Sequence, residues 1–184
     1  MEIAAIEEET LAAALSGQEW AWVAIYRRLA PSVAGYLRAQ GAPEPEDVAG
    51  EVFLQVVRAA KGFRGDAAAF RSWVFSIAHN KLVDARRRGV RRPASPVWSH
   101  AEDAVTPGNV EEEALGNLAS GRVRNLIEKL TPDQAEVLLL RILGGLTLPE
   151  IALTVGKPLT AVKALQRRGV ASLKAQMSRE AVSV

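Results

Sequence analysis

Between Thr147 and Arg168 the chain reads Thr147-Leu-Pro-Glu-Ile-Ala-Leu-Thr-Val-Gly156 and then Lys157-Pro-Leu-Thr-Ala-Val-Lys-Ala-Leu-Gln-Arg-Arg168, two short helical patterns joined at a glycine. The spacing predicts a helix-turn-helix, whose second helix has to show apolar residues to its own domain and small or basic ones to a major groove. On a wheel of about 100° per residue, Leu159, Val162, Leu165, Gly169 and Leu173 fall in one arc. Thr160, Lys163, Ala164, Arg167, Ala171 and Lys174 fall roughly opposite. Lys163 and Arg167 are long enough to reach base edges or phosphates, while Thr160 and Ala164 are small enough to let the backbone come close. An ordinary amphipathic surface helix shows the same division. The helix expected just before it, capped at Thr147 and ended at Gly156, tips the reading towards DNA.

The distribution of charge supports a polyanionic partner. The net charge is only +2, but it is organised in blocks: residues 1–60 carry −5, residues 61–92 carry +7, residues 93–113 carry −5 and residues 114–184 carry +5. Clustered Lys and Arg bind phosphates by displacing condensed counterions, and two separate basic blocks suggest two contacts. The chain has no cysteine and two histidines, which excludes disulfides and thiolate metal sites and leaves too few ligands for most zinc sites. There is no glycine-rich phosphate loop and no nucleophile beside a histidine, so no catalytic residue, cofactor or metal is expected. No apolar stretch approaches the roughly 20 residues of a membrane helix. The acidic start, Met1-Glu-Ile-Ala-Ala-Ile-Glu-Glu-Glu9, is unlike a secretory signal. A cytoplasmic protein without membrane insertion is therefore expected.

An all-α chain is expected, with two small helical domains joined by a flexible linker. From Ser16 to Arg88 apolar residues return every three or four positions in segments rich in Ala, Leu, Glu and Arg, a helical pattern. Ser16-Gly-Gln-Glu19, Thr131-Pro-Asp-Gln134 and Thr147-Leu-Pro-Glu150 fit capping boxes. Breaks at Gly41 to Pro43 and at Gly62 to Gly65 complete four helices up to Arg88. Prolines and glycines without a period then predict a linker over 93–113, between a domain at 10–92 and a helix-turn-helix domain at 114–178.

Two helices of the first domain carry more than a core stripe. The segment Glu44 to Arg58 places Val48, Val52 and Val56 on one face, with Phe53, Leu54 and Val57 following round from it. Asp47, Glu51, Gln55 and Arg58 make a narrow polar edge beside them. Surplus apolar surface next to acidic groups suggests a protein partner, although a helix buried on two sides fits equally well. The segment Phe70 to Arg88 gathers His79, Asn80, Arg86 and Arg87 on its polar arc. It opens a stretch with five arginines between residues 86 and 92, more than a helix dipole needs. Trp73 could stack on an exposed base of single-stranded DNA, a core role being the plainer alternative.

With these segments in view, the chain resembles the extracytoplasmic-function sigma factors of bacterial RNA polymerase. Trp22-Val-Ala-Ile-Tyr-Arg-Arg-Leu-Ala-Pro31, Glu46-Asp-Val-Ala-Gly-Glu-Val-Phe-Leu54 and Phe70-Arg-Ser-Trp-Val-Phe-Ser-Ile-Ala-His-Asn80, with Asp84 and Arg86 to Arg88, resemble region two. Leu130-Thr-Pro-Asp-Gln134 through Leu173 resembles region four. The resemblance implies that Asp47, Glu51, Phe53 and Leu54 dock on the clamp helices of core RNA polymerase. It implies that Trp73, His79, Asn80 and Arg86 to Arg88 serve the minus-ten element as single strand, with Asn80 near a base and the arginines on phosphates. It also implies that Thr160, Lys163, Ala164 and Arg167 read the minus-thirty-five element of promoter DNA, and that an anti-sigma factor holds the protein inactive. Gly50 departs from the family, which commonly has glutamine on the docking surface. The alternative is a conventional helix-turn-helix regulator, which binds duplex DNA without docking on polymerase.

Overall fold

A computed structural model describes residues 6–90 and 125–182. The expected linker at 93–113 and the expected start of the second domain at 114 lie outside the described residues. Every element among the described residues is helical: α1 (Glu8–Leu15), α2 (Glu19–Ala39), α3 (Pro45–Ala59), a 3-10 turn (Ala60–Gly62), α4 (Ala67–Val90), α5 (Pro132–Ile142), α6 (Leu148–Val155) and α7 (Leu159–Val182). A further helical turn spans 125–128.

In the first unit α2, α3 and α4 pack around one apolar core. Ala21, Ile25, Leu29, Val33 and Leu37 line the inner face of α2 at spacings of four, and Val48, Val52 and Val56 are buried on α3 as their spacing predicts. The start of α4 is held from two places. Asp66 Oδ1 accepts the Ala69 N–H at 2.7 Å, and Glu8 Oε1, reaching across from α1, accepts the Ala67 N–H at 2.9 Å. Two carboxylates thereby meet the positive end of the helix whose far end carries the arginines.

The beginning of α2 differs from the expectation drawn from Ser16. The Ser16 hydroxyl donates to the Ala13 carbonyl at 2.8 Å and closes α1, the chain turns at Gly17 with φ 95°, and α2 has Gln18 at its N-cap without a side-chain cap bond. The serine, followed by a left-handed glycine, ends one helix instead of starting the next.

Both expected capping boxes of the second unit are present. The Thr131 hydroxyl accepts the Gln134 N–H while the Gln134 side chain accepts the Thr131 N–H, and Thr147 and Glu150 are paired in the same way. Each box satisfies two N–H groups that a helix start would leave open. Thr147→Ala should therefore lower stability by about 1 kcal/mol in urea unfolding followed by far-ultraviolet circular dichroism. An unchanged midpoint would show that the box contributes nothing.

Candidate nucleic-acid interface

The helix-turn-helix follows from local rules. α6 ends at Gly156, whose φ of 65° is the left-handed turn that closes a helix without cost only for glycine. Pro158 then precedes α7, where a missing N–H is harmless. Val162 and Gly169 are buried against the domain and Leu159, Leu165 and Leu173 are partly buried, while Thr160, Lys163, Arg167, Ala171 and Lys174 are exposed. Ala164 lies between, half-buried. Packing sets this orientation: a Cβ built on Gly169 would sit 2.9 Å from Leu138 Cδ1, so α7 approaches α5 closely along that edge. Lys157, before α7, bonds Asp133 of α5 at 3.0 Å, and Lys163, Arg167 and Arg168 are exposed cations in the first three turns of α7.

The second basic site is the C-terminal half of α4. Arg87 and Arg88 are exposed, and with Lys81, Val83, Asp84, Arg86 and Glu51 they line an open depression between α3 and α4. Lys81 pairs with Glu51 at 3.1 Å. Arg86 is drawn to the end of α2, donating to the Gln40 carbonyl at 2.5 Å and to its side-chain oxygen at 2.8 Å. Its charge stays on the basic face while its guanidinium also braces the α2–α4 packing. Asn80 is exposed beside this site.

Two other residues expected to face DNA are engaged inside the protein. Trp73 is half-buried among aromatic rings, 5.2 Å from Phe63 and 5.6 Å from Phe70 between centroids. His79, only 13% exposed, puts Nδ1 2.9 Å from Oε1 of Glu136 on α5. The Tyr36 hydroxyl lies 3.4 Å from the same nitrogen. Burial, reinforced by the Glu136 carboxylate, pushes the Tyr36 phenol far above its ordinary range. Tyr36 thus stays protonated and can donate to that carboxylate.

The four residues expected to meet a protein partner divide likewise. Asp47, Glu51 and Leu54 are exposed, Leu54 at 58%, whereas Phe53 is 8% exposed and packs edge-on against Tyr26 at 4.9 Å. Phe53 supports the surface from below. Val57 of α3 is exposed beside them, and the exposed apolar residues Trp20, Val23 and Tyr26 of α2 were missed from the sequence. A second apolar line on α2, at 20, 23 and 26 and offset from the core line at 21, 25 and 29, is the signal that could have found them.

Comparison with known proteins gives the same division. Residues 22–92 match Sigma-70 region 2 and residues 120–173 match Sigma-70 region 4. The ECF RNA polymerase sigma factor SigD of Mycobacterium tuberculosis is 31% identical over 173 residues, which are 91% of this chain and 82% of that protein. The ECF RNA polymerase sigma factor RpoE of Cereibacter sphaeroides is 27% identical over 162 residues, 87% of this chain and 88% of the relative. The solved structure of CnrH in complex with the cytosolic domain of CnrY superposes with a TM-score of 0.64 at 25% identity, covering 94% of this chain and 97% of CnrH.

Proposed function

This chain belongs to the extracytoplasmic-function sigma factors of bacterial RNA polymerase, and we propose that it directs core enzyme to promoters through two DNA contacts with different tasks. The observation that carries this reading is the outward face of α7, where Thr160, Lys163 and Arg167 stand exposed on a helix held by Gly169 and Val162. That face would enter the major groove of the minus-thirty-five element, with Ala164 allowing close approach. The basic end of α4 would take the minus-ten element as single strand, Arg86 to Arg88 on phosphates and Asn80 beside a base. His79 and Trp73 would join it where their internal partners release them.

The domain at 10–92 thus acts as region two and that at 114–178 as region four, joined by the linker at 93–113. Asp47, Glu51 and Leu54, with Phe53 beneath them, form the surface for core RNA polymerase, widened by Trp20, Val23 and Tyr26. Melting is driven by binding, since unstacked bases cost a few kcal/mol that stacking and phosphate contacts recover. The chain performs no covalent chemistry in this role and works in the cytoplasm. No described helix is long and apolar enough to cross a membrane. An anti-sigma factor is its partner when inactive; the similar CnrH was solved in complex with the cytosolic domain of CnrY.

Run-off transcription on genomic fragments with core polymerase and this protein tests the reading, and absence of any promoter-dependent product would reject it. On a promoter so identified, Asn80→Ala should spare closed binding and reduce permanganate reactivity of the minus-ten thymines about tenfold, a loss near 1.4 kcal/mol. Unchanged reactivity would remove Asn80 from the melted-strand site.

A further inference from the structure

α2 ends at a turn that its own backbone closes. The Ala42 N–H donates to the Leu37 carbonyl at 2.9 Å and the Gly41 N–H to the Arg38 carbonyl at 3.0 Å, with Gly41 left-handed at φ 70°. This pair of bonds is a Schellman motif. Arg38 also pairs with Glu46 at the start of α3, so the turn is tied on both sides. The Gln40 carbonyl lies outside these bonds. Arg86 of α4 reaches it from Nη2 at 2.5 Å, and the same Nη2 donates to Gln40 Oε1 at 2.8 Å. A cation thereby meets the negative end of α2.

The backbone half of this clasp is available to any residue at position 40, whereas the side-chain half is glutamine's own. That half adds little to stability. Gln40 Nε2 is buried with no acceptor among the described residues, and a buried donor left unpaired costs about as much as the charge-assisted bond at the other end of the amide returns. Turning the amide over would relieve nothing, since Nε2 would then face the Arg86 donor. What the side-chain bond fixes is direction. A guanidinium offers two parallel N–H pairs for a two-point grip on a phosphate, Nε with Nη2 and Nη1 with Nη2, and both include Nη2. Nη2 carries two hydrogens, and Gln40 takes both. Arg86 therefore retains Nε and Nη1 for single-point contacts in one orientation. Arg87 and Arg88 are exposed beside it, and no bond from either to another helix is seen among the described residues; Arg88 Nε reaches the Asp84 carbonyl of its own helix at 3.4 Å.

From this geometry we propose that Gln40 is a positioning residue of the strand-holding site: it orients Arg86 before the strand arrives, so that one phosphate meets a cation already in place while Arg87 and Arg88 adapt to its neighbours. The inference rests on the assignment of the basic end of α4 to the minus-ten strand. Immobilising a long, flexible side chain at an interface costs binding free energy, and a side chain ordered in advance avoids that loss. Gln40 touches no DNA in this role and acts through Arg86 alone.

Gln40→Met tests this with a side chain of similar length that cannot accept a hydrogen bond from Arg86. Holoenzyme assembled from core polymerase and the full chain is titrated with a fluorescently labelled non-template minus-ten oligonucleotide, taken from a promoter found by run-off transcription. Gln40→Met should weaken binding about threefold to tenfold. The slope of log K against log salt should stay unchanged, because the Arg86 charge still meets its phosphate. Arg86→Met removes that charge and should lower the slope by about 0.7, the single-strand value for one phosphate. In the Arg86→Met background, Gln40→Met should have no further effect. Urea unfolding of the free chains should place the Gln40→Met midpoint at or above that of wild type, since the buried unpaired N–H leaves with the amide. Unchanged affinity in Gln40→Met, or the same loss with and without Arg86, would overturn the proposal. A midpoint that falls in step with affinity would overturn it too, because that is the mark of a merely structural role. Wild-type holoenzyme run beside the variants separates the two readings: absence of any run-off product rejects the sigma assignment itself, which no Gln40 outcome does.

Discussion

Phe70→Ala is expected to destabilise the first helical unit by about 3 to 5 kcal/mol, the range for emptying a buried aromatic site. Phe70 is fully buried and central, with Phe63 at 5.2 Å, Trp73 at 5.6 Å and Trp22 at 6.3 Å between ring centroids. Its removal takes away both transfer energy and three aromatic contacts, and the surrounding rings are too stiff to fill the space. A domain of this size has total stability of roughly 5 to 15 kcal/mol, so the loss is a large part of the whole. Tryptophan fluorescence reports it directly, because Trp22 and Trp73 flank the site. Guanidinium unfolding should show the midpoint of that signal falling sharply. A shift of less than about 1 kcal/mol would mean that the aromatic cluster is not the keystone of the unit.

The second large effect is expected at the DNA-reading helix. Arg167→Ala should weaken binding of the upstream promoter duplex by about 1 to 3 kcal/mol if the guanidinium meets a base edge, and Lys163→Ala should behave similarly if its ammonium does. Competition with a duplex altered at the minus-thirty-five element distinguishes base from phosphate. A base contact loses discrimination between the two duplexes. A phosphate contact weakens both equally and lowers the salt dependence of log K by about one unit. Neither residue has a folded-state partner to confuse the result, since both are exposed and no ion pair or hydrogen bond of theirs is seen among the described residues. If the double variant binds the promoter duplex as the wild type does, α7 is not the reading helix.

The different fates of neighbouring residues show how far sequence could reach. Periodicity on α3 was enough to put Val48, Val52 and Val56 inside, because a stripe at spacings of four can only be satisfied by one face. It could not separate Phe53 from Leu54. Both follow round from that stripe, and Tyr26, about 27 positions away in the chain, covers the first and leaves the second open. Thr131 and Thr147 were legible as helix starts because their bonds close within three residues. Ser16 has the same pattern of residue types, yet the turn at Gly17 uses it to close α1. The division of α7 into packed and outward residues was legible as well, since it depends only on helical spacing and on the apolar side turning inward. His79 was not. On its own helix it belongs to a polar arc, and Glu136, 57 positions further along the chain, decides what it touches.

The sequence by itself determined the all-helical class, both capped helix starts of the second unit, the core stripe of α3 and the outward basic face of α7. All of these rest on interactions between residues a few positions apart, whose geometry the helix imposes. Only the tertiary structure decided that the middle of α5 is enclosed on both sides, that Phe53 is covered while Leu54 is open, and that His79 is held by Glu136. Those outcomes depend on shape and charge matching between segments far apart in the chain, where no spacing rule operates. Contacts of that kind can be broken while every helix stays intact, because local structure does not require them.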